Sequence, residues 1–231
     1  MKVIFINMIN NIDNKNYDLH TIVVPFVDTN CYIINNESDA ILVDAGGSGD
    51  EIYVFLCSHG FNLNAILLTH GHYDHIEALD FLKNKFENVS IYANANEKIV
   101  IENRHYNLAN FDLSKNVIDN IKYIDDDSII NELGLDIKMI HTPGHTIGSC
   151  CYYIEGLNIL FSGDTLFKNT YGRTDLPSGD MKQLVLSVSK KIMKLNDDIV
   201  VYPGHSGITS IGYERVHSEL MKPFVIDWAE T

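Results

Sequence analysis

The chain has 231 residues, a length that suits one large domain or two small ones and buries a sizeable core without disulfide staples. Hydrophobic residues at 45% and charged residues at 21% are those of an ordinary globular protein, which excludes disorder along the whole chain. Lys and Arg total 17 against 31 Asp and Glu, and a net charge of −14 without a local basic patch speaks against a nucleic-acid partner.

The apolar run at residues 3–9 is too short to span a bilayer, and no small-residue cleavage site follows it. It reads as a strand, with no membrane partner and a cytoplasmic location expected. Residues 22–27 and 31–34 read as a strand pair, and 40–43 as a buried strand ending at Asp44 and a Gly46-Gly47 turn. Residues 50–59 have helical spacing, with Ile52, Phe55 and Leu56 on one face, and stop at Gly60. A buried strand at 65–68, a helix at 76–86, a strand at 89–92 and a helix at 96–102 follow. The Asn-rich stretch 103–120 is weakly periodic and reads as a loop with room for one short helix, of the kind that covers a site. Strands resume at 135–140, 149–154 and 158–161, before a helix at 181–195, a strand at 199–202 and a last helix near 213–220. Asp125-Asp126-Asp127 reads as a solvated turn. No linker or low-complexity tract interrupts the pattern, so a single domain over 1–231 is expected. Cys31, Cys57, Cys150 and Cys151 contain no C-x-x-C pair, and vicinal cysteines do not bridge easily within a strand. Buried free thiols in a reducing compartment are expected.

The strongest chemical signal is Thr69-His70-Gly71-His72-Tyr73-Asp74-His75, directly after the 65–68 strand. A helix would scatter these side chains and a strand would split them between faces, whereas a turn relaxed by Gly71 can converge them. Imidazoles with a carboxylate suit a borderline ion such as Zn²⁺ or Fe²⁺. Thr142-Pro-Gly-His145, Ser162-Gly-Asp164-Thr165 and Tyr202-Pro-Gly-His205 repeat one pattern, an apolar strand followed by a turn that presents one polar residue beside a glycine. One histidine near a strand end is ordinarily a hydrogen-bonded core or surface residue. Four strand-turn segments of the same kind are not explained that way. His20, His59, His105, His141 and His217 lack this setting and read as structural.

His70-x-His72-x-Asp74-His75 with His145, Asp164 and His205 resembles the metallo-β-lactamase superfamily in composition and order, from about Asp44 to Glu214. Phe161-Ser-Gly-Asp-Thr-Leu-Phe167, Tyr171-Gly-Arg-Thr-Asp-Leu176 and Pro203-Gly-His-Ser-Gly-Ile-Thr-Ser-Ile-Gly212 are similar to the short bacterial hydrolases grouped with glyoxalase II, the hydroxyacylglutathione hydrolase-like group. The resemblance implies an α/β (α+β) fold of four αββα layers, two packed mixed β-sheets flanked by helices. It further implies two Zn²⁺ ions per chain, at a site whose ligands also accept Fe or Mn. His70, His72 and His145 would hold the first ion, Asp74, His75 and His205 the second, and Asp164 would bridge them. Asp74 and Asp164 would be the catalytic carboxylates, and Asp44 would orient the histidine turn. Such ions lower the pKa of water, so a metal-bridging hydroxide would attack without a separate general base or a Ser or Cys nucleophile. Ser162 and Ser206 read as turn residues.

A small-molecule substrate, thioesters or related small acyl compounds, is the expectation. The superfamily's β-lactamases generally lack an aspartate at the Asp164 position, and its nucleases commonly need an added domain. Persulfide dioxygenases share the Gly172–Asp175 stretch and hold one iron through matches to His70, His145 and Asp164, so an iron oxidoreductase stays open beside the hydrolase, as does a lactonase-type hydrolase. Glyoxalase II proper carries basic residues for glutathione in a C-terminal helical extension, whereas only Arg215 and Lys222 follow His205 in this chain. Arg173 and Tyr171 are candidate substrate-binding residues, with Lys168 nearby; for Arg173 a salt bridge to Asp175 or Asp180 is an equal reading.

Overall fold

The computed structural model describes the backbone at residues 2–12, 15–25 and 27–231, and side chains within that range from residue 17 onward. The first sheet has seven strands in chain order: β1 (Lys2–Ile12), β2 (Lys15–Val24), β3 (Thr29–Asn36), β4 (Asp39–Val43), β5 (Asn62–Leu67), β6 (Ser90–Asn94) and β7 (Ile121–Ile124). β1 to β4 form an antiparallel meander, and from β4 onward neighbours run parallel. Parallel neighbours need crossovers. α1 (Asp50–His59) joins β4 to β5, and α2 (Tyr73–Ile76) with α3 (Leu79–Lys85) joins β5 to β6. The short α4 (Lys98–Ile101), α5 (Arg104–Asn107) and α6 (Lys115–Ile118) precede β7.

The second sheet contains β8 (Ile129–Glu132), β9 (Leu135–His141), β10 (Cys150–Ile154), β11 (Ile159–Gly163), β12 (Val200–Pro203) and β13 (Thr209–Ser210), in the order β13-β12-β11-β10-β9-β8. Its one parallel pair, β11 and β12, is spanned by α7 (Met181–Lys190); α8 (Ile211–His217) and α9 (Pro223–Glu230) follow β13.

Strand alternation decides the layers. In β4, Ala40 and Leu42 face α1 and α3, while Ile41 and Val43 face the second sheet. In β11, Ile159 and Phe161 face the first sheet and Leu160 faces α7. Two mixed sheets packed face to face with helices outside each give the expected αββα order.

The differences from the sequence reading have local causes. The 22–27 strand ends at Val24, before a proline that cannot donate to a ladder; Phe26 lies outside the described residues. The helix expected at 76–86 is broken because the Ala78 N–H bonds to the Ala45 carbonyl at 2.8 Å instead of continuing a helical ladder. The 96–102 helix begins as a 3₁₀ turn at Ala95–Glu97, and the 181–195 helix stops at Lys190 before a second such turn. β7, β8 and α9 have no counterpart in the sequence reading. The 103–120 stretch holds two short helices rather than one and sends Leu113 and Val117 into the core behind the first sheet. All four thiols are free, but Cys57 is exposed, not buried.

Phe161 is fully buried between the sheets, its ring 5.2 Å from that of Tyr32 and 5.6 Å from that of Tyr202. Phe161→Ala should therefore cost about 3–5 kcal/mol by chemical denaturation. A loss below ~1 kcal/mol would mean that this seam does not hold the sheets together.

Candidate metal centre

The candidate ligands stand at the C-terminal ends of four strands. His70 and His72 follow β5, His145 lies between β9 and β10, Asp164 follows β11 and His205 follows β12. The 70–75 segment is not a turn throughout: Asp74 and His75 sit on the single helical turn of α2, which returns the His75 ring towards His70 and sets Asp74 beside it, facing His205. Two glycines permit the approach. Gly163 has φ +47°, and a Cβ there would lie 2.4 Å from Thr69 Oγ1. A Cβ on Gly204 would lie 2.3 Å from Asp164 Oδ1.

The side chains converge as three groups, His70/His72/His145, His70/His75/Asp164 and Asp74/His75/His205, with donor atoms within 4.8 Å of one another in each. His145 Nε2 lies 2.9 Å from His72 Nδ1 and 3.2 Å from His70 Nε2. Asp74 Oδ2 lies 3.4 Å from His205 Nε2 and 3.6 Å from His75 Nε2. Asp164 spans the two halves: Oδ1 is 3.6 Å from His75 Nε2, and Oδ2 is 3.5 Å from both His145 Nε2 and His205 Nε2. His70, His72, Asp74, His75, His145, Asp164 and His205 are thus brought together.

The outward ring nitrogens fix the tautomers. His75 Nδ1 donates to Asp44 Oδ2 at 2.8 Å, His145 Nδ1 to the Arg173 carbonyl at 2.7 Å and His205 Nδ1 to the Val27 carbonyl at 3.1 Å. Thr69 gives its hydroxyl proton to Asp44, so its oxygen is left to accept from His70 Nδ1 at 3.2 Å. Four rings thus turn Nε2 inward, and His70 and His145, which stay neutral, present it as a bare lone pair. Asp44, with φ +58°, also accepts the Thr69 N–H at 2.8 Å, so one buried carboxylate aligns β4, the histidine turn and His75.

Electrostatics separate the rings. Burial pushes His70 well below its ordinary pKa, helped by His75 and His145; it takes His72 down to about 3 and lowers His145. His75 goes the other way: against its burial, Asp44, Asp74 and Asp164 raise it to about 10, and His205 is raised by the same kind of carboxylate contact. Asp74 is held below the usual carboxylate range, despite burial, by His75, His205 and the Thr29 hydroxyl.

Two buried polar residues escape a reading of the sequence. Thr29 Oγ1 donates to Asp74 Oδ2 at 2.8 Å. Glu97 accepts from the Gly71 N–H, the Gly148 N–H and the Thr146 hydroxyl, and burial pushes its carboxyl up to about 7 against those donors. Neither position carries a local motif; only their places in the fold give them meaning. Of the substrate-binding candidates, Tyr171 packs against the core outside the second sheet, while Arg173, 62% exposed, forms a bidentate pair with Asp175 at 2.7 Å.

The donor set fits a cation. His75 Nε2 and Asp164 Oδ1 are buried and have no hydrogen-bonding partner, and the bare lone pairs of His70 and His145 face each other at 3.2 Å without a proton between them. Buried lone pairs so placed repel until a positive charge joins them.

A family model described as the metallo-beta-lactamase superfamily matches residues 24–205. The hydroxyacylglutathione hydrolase GloC of Haemophilus influenzae is 33% identical over 193 residues, 80% of this chain and 89% of that protein. The probable metallo-hydrolase YqgX of Bacillus subtilis is 30% identical over 202 residues, 86% and 94% of the two chains. The crystal structure of BLEG-1 B3 metallo-beta-lactamase superposes with a TM-score of 0.81 at 30% identity, covering 88% of this chain and 99% of that one.

The pKa shifts set a stability profile for the protein without added cation. His70, His72 and His145 stay neutral when folded, so stability falls as pH drops below ~6.5, where the unfolded chain takes up protons that the folded one refuses. His75 is protonated when folded, so its contribution is complete below ~6.5 and is lost as pH rises towards about 10. Chelator-treated protein should therefore show its highest melting temperature between these limbs, near neutrality. A melting temperature still rising at pH 10 would contradict these charge states.

Proposed function

Since the chain belongs to the metallo-beta-lactamase superfamily, we propose that it is a hydrolase holding two divalent cations, zinc by preference, and cleaving thioesters such as hydroxyacylglutathione or related small acyl compounds. The observation that carries this reading is the inward convergence of seven donor side chains, with Asp164 in reach of both halves. His70, His72 and His145 would hold one cation, Asp74, His75 and His205 the other, with Asp164 between them.

Bound there, divalent cations supply Lewis acidity that makes water acidic near neutral pH and polarises a carbonyl oxygen. The protein's own residues do the rest. Asp44, the Arg173 carbonyl and the Val27 carbonyl keep His75, His145 and His205 in the tautomers that bind. Asp74 and Asp164 are the carboxylates among the seven, and they would supply the negative charge that holds the cations. Arg173 is the cation beside the mouth, near enough for its charge to help keep His72 neutral, and it suits an anionic end of the substrate. Tyr171, two residues earlier, is the weaker partner because its ring belongs to the packing beyond the second sheet. The similarity to GloC supports a thioester substrate, and the free thiols suit a reducing cytoplasm.

Elemental analysis should find two zinc ions per chain, with turnover of lactoylglutathione. One iron with oxygen uptake on glutathione persulfide would replace this reading by the dioxygenase. Asp164→Ala should lower turnover by orders of magnitude in a folded protein, and His205→Ala should leave one ion per chain; near-normal turnover or retention of both ions would refute these roles. Arg173→Ala should raise KM with little change in kcat, whereas unchanged KM with a lowered melting temperature would reduce Arg173 to its ion pair with Asp175.

A further inference from the structure

Glu97, 1% exposed, is an acidic side chain buried outside the seven-residue cluster, and no cation pairs with it among the described residues. It ends the 3₁₀ turn after β6 and reaches two separate loops. Its Oε1 accepts the Gly71 N–H at 2.7 Å; Oε2 accepts the Gly148 N–H at 2.8 Å; the Thr146 hydroxyl approaches both oxygens, at 2.9 and 2.8 Å. Gly71 lies between His70 and His72, and Thr146 follows His145. One carboxylate therefore bonds the turn that carries two imidazoles of the first triad to the loop that carries the third. The packing is tight on both sides: a Cβ on Gly148 would lie 2.2 Å from Glu97 N, and one on Gly71 would lie 2.7 Å from Ile101 Cγ1. Both Glu97 oxygens act as acceptors for donors on the two loops, so the side chain ties them together.

The second triad has separate supports. Asp44 holds His75, Thr29 holds Asp74, and Asn30 donates to the Pro203 and Ser206 carbonyls on either side of His205. Asp44 also reaches His70 through Thr69, whereas the hydrogen bonds of Glu97 go only to the two loops of the first triad.

We propose that Glu97 is a positioning residue for the His70/His72/His145 triad, setting the affinity of that cation site while leaving the Asp74/His75/His205 site unchanged. The inference rests on the two-cation reading above. Losing an outer partner of a metal ligand typically weakens binding about 10–100-fold, and that range is expected for one site only.

Zinc alone, in competition with a chromophoric chelator, is the probe. Glu97→Ala should bind one zinc as tightly as the unaltered protein and the other about 10–100-fold more weakly. Glu97→Gln and Thr146→Val, which keep the volume and lose part of the bonding, should shift the same zinc less. In a His205→Ala background, the single remaining zinc should be the weakened one. A merely structural role would lower the melting temperature and leave zinc affinities alone. Unchanged affinities, or equal weakening of both sites, in any of these variants that unfolds cooperatively would overturn the proposal. Should Glu97→Ala fail to fold, Glu97→Gln and Thr146→Val decide it. Fewer than two zincs on the unaltered protein would instead defeat the two-cation reading, and that outcome is visible before any variant is made.

Discussion

The structure is organised around an unfavourable arrangement: bare lone pairs of several imidazoles and two carboxylates buried face to face. Left to relax, such groups would turn outward to water or take up protons. They are prevented by bonds on their far sides, where Asp44, Thr69 and the carbonyls of Val27 and Arg173 each satisfy the nitrogen that points away. Those partners are themselves fixed by strand ends, and the strand ends by the core between the sheets. The stiffness of that core is what keeps the centre from collapsing.

Much of this is legible in the sequence because its signals are local. Alternating burial in β4 and β11, the helical spacing of α1 and its stop at Gly60 follow from side-chain periods that any short window displays. The His70–His75 run and the three later strand-turn segments are equally plain, because four copies of one pattern need no structure to be counted. The features that stay hidden depend on distant partners. Nothing within 76–86 reveals that Ala78 will bond to Ala45, so the apolar spacing reads straight through the break. β7 and β8 are short strands bounded by charged turns, and become visible only once β6 and β9 are beside them. Glu97 and Thr29 are single polar residues in ordinary settings whose partners lie many residues away.

The relatives show why the scaffold alone does not name a substrate. A hydroxyacylglutathione hydrolase and a B3 metallo-beta-lactamase resemble this chain to nearly the same degree. Shared strand ends and donors explain the common capacity to activate water; specificity rests with the walls above them. In this chain the Gly172–Asp175 segment lies closest to that question, since Gly172 abuts Asp164 and His145 while Arg173 reaches outward.

The order in which the donors occur along the chain carries a consequence for biosynthesis. Residues 70–75 belong to the first sheet, while His145, Asp164 and His205 belong to the second, and the two sheets are consecutive in sequence. A nascent polypeptide can assemble the first layer and display an open half-set of ligands well before the ribosome has made the rest. A cation that needs donors from both sheets would be held fully only once the two layers have docked.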